Sequence, residues 1–106
     1  MEQIVAKGIL YDFYGELLTK RQREIYEDAV YNDLSLAEIA EAKGISRQGV
    51  SEQIGKCTRI LQDYEDKLRM IEKFNRISAV LDELEQKKAS AGIRAEIQKI
   101  RKILIL

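Results

Sequence analysis

The sequence predicts an all-α protein. Its 106 residues include no proline and only six glycines. Leu, Ile, Ala, Glu, Lys, Arg and Gln, all ready helix formers, dominate. Apolar residues recur at steps of three and four along most of the chain, the period of a helix with one buried face. The length suits one small core, or one domain with an appendage.

Ile4, Leu10, Tyr11, Tyr14, Leu17 and Leu18 describe a first amphipathic helix over about residues 2–18, with Tyr11, Phe13 and Tyr14 expected in the core rather than as a base-stacking platform. Thr19, with Gln22 three residues on, forms a capping box that starts a second helix running to about Asn32 and burying Ile25, Ala29 and Val30. Lys20, Arg21 and Arg23 crowd its first turn, where they read either as a phosphate-binding cluster or as a solvated face. Ser35 and Glu38 repeat the capping box ahead of a third helix, Leu36 to Lys43, closed by Gly44 as a left-handed residue.

Ser46 caps a fourth helix with no strong stop signal before the "KKASAG" stretch at 87–92; it either runs past forty residues or bends near Tyr64 to Asp66. Its stripe comprises Val50, Ile54, Cys57, Leu61, Tyr64, Leu68, Ile71, Phe74, Ile77, Leu81 and Leu84. After Ser90 and Gly92, a last helix carries Ile93, Ile97, Ile100 and Leu104. So long a seam demands a partner. The expected organisation is therefore a domain over 1–64 and a helical dimerisation segment over 65–106.

Composition narrows the chemistry. With no histidine and a single cysteine, the chain lacks the residues for a Ser-His-Asp or Cys-His nucleophile and for a usual zinc site. Cys57 lies on the apolar stripe and is expected to act as a small hydrophobe. Asp82, Glu83 and Glu85 are expected on a wet helix face, paired with Lys87 and Lys88, rather than around a metal. No glycine-rich loop joins a strand to a helix, so no nucleotide cradle, no cofactor and no enzyme are expected. The lone cysteine suits a reducing compartment, no apolar run nears the ~20 residues of a membrane span, and the N-terminus lacks a signal peptide's cleavage site. A cytoplasmic protein without membrane insertion is expected. Eighteen basic residues balance eighteen acidic ones. The first 57 residues carry seven basic against ten acidic side chains, and the remainder eleven against eight, so the basic half is the second.

Residues 34–55, "LSLAEIAEAKGISRQGVSEQIG", match the demands of a helix-turn-helix. Ala40 is small enough for two helices to cross closely, Gly44 takes the turn, and Ile39, Ile45, Val50 and Ile54 lock the crossing. Outward on the second of these helices fall Arg47, Gln48, Ser51, Glu52, Gly55 and Lys56. Arg and Gln near its start can address base edges, whereas Glu52 repels phosphates and Gly49 costs about 1 kcal/mol of helix stability.

The run "LLTKRQREIYEDAVYNDLSLAEIAEAKGISRQGVSEQIGKC" resembles the fourth region of bacterial sigma factors, a helical module whose helix-turn-helix reads promoter DNA. "FYGELLTKRQREIY", "DLSLAEIAEAKGISRQGV" and "ILQDYEDKL" are more specifically similar to the YlxM family, over about residues 10–74. The resemblance implies a dimeric, all-helical bacterial cytoplasmic protein, associated with the signal recognition particle pathway by gene neighbourhood. It places Ser46, Arg47, Gln48, Ser51, Glu52 and Lys56 on the recognition helix, where Gly49 departs from the common alanine or threonine. The expected function is regulatory binding of nucleic acid, DNA first and RNA as the alternative, by a homodimer, with components of the signal recognition particle as further partners. The alternative is a module that contacts the particle's protein or its receptor without touching nucleic acid.

Overall fold

A computed structural model of the chain describes residues 3–87 and 90–105, with side chains over 6–87 and 90–104, so Ile4 and Lys88 lie outside the described side chains. The fold is all-α, and the chain divides into two compact units, Met1–Arg69 and Met70–Leu106. The first holds α1 (Gln3–Tyr14), a 3-10 turn (Gly15–Leu17), α2 (Lys20–Val30), α3 (Leu36–Lys43) and α4 (Arg47–Leu68). The second holds α5 (Met70–Gln86) and α6 (Ala91–Ile105).

The first helix stops at Tyr14 instead of continuing to residue 18. Tyr14 leaves helical geometry at φ −123° and ψ 0°, and Gly15 is buried beneath the ring of Tyr11. A Cβ on Gly15 would stand 2.7 Å from that ring, so only glycine fits there. The turn buries Leu18 and leaves Leu17 55% exposed, which corrects the placement of Leu17 on the buried stripe. Tyr11 stacks on Tyr26 at 5.7 Å, and Tyr14 on Tyr64 at 6.1 Å. Of the aromatic stripe, Tyr14 is a core residue as expected, Tyr11 is half-buried and Phe13 is exposed; Tyr26 of α2 is a further core residue.

Both capping boxes form. Gln22 N–H donates to Thr19 Oγ1 at 3.2 Å and Thr19 N–H to Gln22 Oε1 at 2.9 Å; Ser35 and Glu38 do the same, each at 3.1 Å. Helix α2 ends two residues before Asn32, because Asp33 takes φ +53° and Leu34 N–H turns back to Asp28 O at 3.0 Å. Short polar side chains tolerate that left-handed conformation.

Ile25, Ile39, Ala40 and Val50 form a buried cluster, with Ala29, Leu34, Ile45 and Ile54 packed against it. Burying a side chain the size of Val50 contributes roughly 1.5–2 kcal/mol. Cys57 and Leu61 continue the buried face of α4 without exposed surface. Burial pushes the Cys57 thiol up from its ordinary value, so it packs as an uncharged hydrophobe.

Helix α4 neither runs past forty residues nor bends near Tyr64 to Asp66. It ends at Leu68, where Arg69 adopts φ +56° and its N–H returns to Glu65 O at 2.8 Å. In the second unit, Leu81 and Ile97 are buried. Arg101 of α6 reaches back to α5, donating from Nη2 to Asp82 at 2.7 Å and from Nε to Glu85 at 3.1 Å. This cross-helix fork engages Asp82 and Glu85, and the expected pairing with Lys88 lies outside the described residues. Ile77, Val80, Leu84 and Ile100 line an open apolar groove, with Lys73 and Arg76 on its rim.

Candidate nucleic-acid interface

The interface begins at the junction of α3 and α4. Gly44 adopts φ +68° and its N–H bonds to Ala40 O. Ile45 N–H bonds the same carbonyl at 3.1 Å, completing a helix end in which the residue after the glycine folds inward. Ile45 thereby joins the Ile39–Ala40–Val50 cluster, so the turn and the crossing are fixed by one set of contacts. Ser46 follows as N-cap of α4, its Oγ accepting from Gly49 N–H at 2.9 Å.

Gly49 has a local reason. A Cβ there would lie 3.2 Å from Ser46 Oγ and 3.8 Å from Ile45 Cδ1, so the glycine makes room for the cap and the turn. With Val50 wholly buried, the helical period turns the opposite side of α4 to solvent. Gln48, Ser51, Glu52 and Lys56 stand exposed on that side, Arg47 is exposed at its edge in the first turn, and Ser46 is exposed at its head. Ser46 nonetheless works chiefly as a cap. Gln48 Nε2 donates to Glu52 Oε1 at 3.3 Å, so these two side chains are held together along the face.

One residue on this face escaped sequence reasoning. Arg59 is exposed, one turn beyond Gly55, and its guanidinium lies over the space a Gly55 side chain would fill, with Nη1 3.6 Å from that point. Extending the outward set by one more step of three from Lys56 identifies it. Among the described residues Arg47, Lys56 and Arg59 have no ion-pair partner, and Glu52 is the one acidic side chain between them in sequence. The face is thus locally basic on a unit that carries ten basic and thirteen acidic residues over 1–69.

Lys20, Arg21 and Arg23 are exposed on a different helix, at the start of α2. The hollow there is lined by Lys20, Arg23, Glu24 and Glu27, two cations and two carboxylates. Glu24 is held by Lys43 of α3 at 2.9 Å, which lowers its carboxyl below the usual range, and Glu27 accepts from the Tyr11 hydroxyl. An anion entering this hollow meets carboxylates as well as cations. Among the described residues no group of three or more His, Cys, Asp or Glu side chains is placed to hold a metal, and no helix is long and apolar enough to cross a membrane.

Comparison with known proteins agrees with the geometry. Residues 1–103 match a family model, UPF0122, described as "Putative helix-turn-helix protein, YlxM / p13 like", which is not a description of an enzyme. A UPF0122 protein of Symbiobacterium thermophilum is 40% identical, over 91% of this chain and 99% of its own. One of Acetivibrio thermocellus is 41% identical over 94% of this chain and 78% of its own, and one of Clostridium kluyveri 52% identical over 68% and 65%.

Proposed function

This chain belongs to the UPF0122 family of YlxM/p13-like helix-turn-helix proteins, and from that premise we propose that it is a cytoplasmic regulator that binds nucleic acid through the outward face of α4. The observation that carries the reading is the exposed, locally basic surface of Arg47, Lys56 and Arg59 on a helix whose other side is locked into the core. Arg47 and Gln48, the first two residues of α4, are the donors and acceptors for base edges, with Ser51 one turn on. Lys56 and Arg59 supply phosphate contacts. Lys20, Arg21 and Arg23 contribute at most an outlying contact, since Glu24 and Glu27 share their hollow.

Duplex DNA is the favoured target and folded RNA the alternative. The net negative charge of residues 1–69 makes affinity depend on these few cations and fall with salt by a slope set by the few phosphates they neutralise. The apolar groove on α5 and α6 supports assembly as a homodimer, which presents two α4 helices to two half-sites. We propose the RNA of the signal recognition particle as the specific RNA probe. The test is a salt titration with genomic DNA and with that RNA: binding at low salt that Arg47→Ala weakens supports the reading, and no binding at low salt removes it. The competing reading is a protein-interaction module acting on the particle's protein or its receptor, and the acidic balance of residues 1–69 favours it. A partner retained from lysate after nuclease treatment, with no affinity for nucleic acid, decides for that reading.

A further inference from the structure

We infer that Gly55 and Arg59 form a seat for the phosphodiester backbone of the bound nucleic acid, an inference that rests on the proposed function. The starting point is a glycine that the fold does not need. Helix α4 contains two glycines, each unfavourable in a helix interior relative to alanine. Gly49 is accounted for by the Ser46 cap and Ile45. Gly55 is not: its backbone is helical, and among the described residues a Cβ would meet only Arg59 Nη1, at an ordinary contact distance of 3.6 Å. Helix stability is given up there with no internal return.

The position explains the choice. At 3.6 residues per turn, Gly55 falls in the middle of the arc bounded by Arg47 and Lys56, opposite Val50, Cys57 and Leu61. A missing side chain at the centre of a contact face lets an outside atom reach the helix backbone. The group waiting at that gap is a guanidinium, exposed and without an ion-pair partner among the described residues. Its planar fork of donors matches the paired oxygens of a phosphate. Bare backbone with a guanidinium beside it suits a sugar–phosphate strand running across the third and fourth turns of α4, while Arg47 and Gln48 reach bases at the first. A phosphodiester is common to DNA and RNA, so a DNA duplex and an RNA hairpin serve as separate probes.

The experiment uses the full chain and fluorescein-labelled, mixed-sequence probes in a salt series, scored on whichever probe the parent binds. Gly55→Ala is expected to raise Tm by a few degrees through helix propensity while weakening binding roughly tenfold. Arg59→Gln is expected to leave Tm unchanged, to weaken binding to a similar extent and to lower the salt slope by about one. That opposition of stability and affinity in Gly55→Ala separates a contact from a folding defect. If either variant binds as the parent does while Arg47→Ala binds less, the seat is overturned and the proposed function stands. If Arg47→Ala also binds as the parent does, the proposed function itself falls.

Discussion

The hydroxyl of Tyr14, in the last turn of α1, donates to the carboxylate of Glu65 near the end of α4, 2.5 Å away across 51 residues of sequence. Tyr14 is only 2% exposed, so this charge-assisted bond forms in partly dry surroundings and ties the far end of the candidate recognition helix to the start of the chain. Tyr14→Phe keeps the ring stacked on Tyr64 and removes the bond alone. Urea denaturation is expected to show a loss of about 1–2 kcal/mol, with affinity for nucleic acid at the outward face of α4 unchanged.

The cap of α4 gives a paired expectation. Ser46→Ala removes the acceptor of Gly49 N–H and should cost about 1 kcal/mol. Gly49→Ala gains helix propensity but sets a Cβ 3.2 Å from Ser46 Oγ, so its two effects nearly cancel. Thermal melts of the two variants check this: a clear fall for the first and a Tm close to that of the parent for the second.

Acid should loosen the packing of α2 against α3. Lys43 lowers the carboxyl of Glu24 by hydrogen bond and charge, and the backbone and hydroxyl of Ser35 lower that of Glu38. A carboxyl whose folded value lies below its unfolded value adds stability above the ordinary carboxylate range near 4.5, and that stability is lost as pH falls through the folded value. Parent and Glu24→Gln should therefore differ in Tm at neutral pH and converge at strongly acidic pH. Melting curves across that interval measure the convergence.

Val80 is 56% exposed in the middle of α5, between Ile77 and Leu84. Two copies of α5 crossing antiparallel at Val80 would bring Ile77 of each against Leu84 of the other and Arg76 near Glu83, a self-complementary pattern under a twofold axis. Val80→Glu places two carboxylates on that axis and is expected to yield a monomer by light scattering at a concentration where the parent is dimeric. A monomeric parent would remove the assembly from the proposed function.

The parts of this fold legible in the sequence are those decided within a few residues. Thr19 with Gln22, Ser35 with Glu38, Ser46 and Gly44 each act on backbone groups no more than four residues away, so their side chains alone announce where helices begin and end. The buried side of α4 was legible for the same reason, through the period of Val50, Cys57 and Leu61. The break at Arg69 was not, because no glycine, asparagine or proline marks it and an arginine rarely takes a left-handed conformation. The end of α1 was hidden too, since the close approach of the Tyr11 ring to Gly15 depends on where Tyr26 holds that ring. Within the candidate interface, the exposure of Gln48, Ser51, Glu52 and Lys56 followed from periodicity, and that of Lys20, Arg21, Arg23, Ser46 and Arg47 from their place at a helix start. The period carried one step past Lys56 reaches Arg59, but the position of its guanidinium over Gly55 is visible only in side-chain coordinates.

Because the caps of α2, α3 and α4 close over three residues each, they can form in the unfolded chain before any distant contact exists. Short helices are unstable alone, and their nucleation is the slow part of making them. A start signal built into each segment fixes register early and confines the remaining search to docking a few preset rods. Residues 1–69 should accordingly refold quickly, with the long Tyr14–Glu65 closure as the late event.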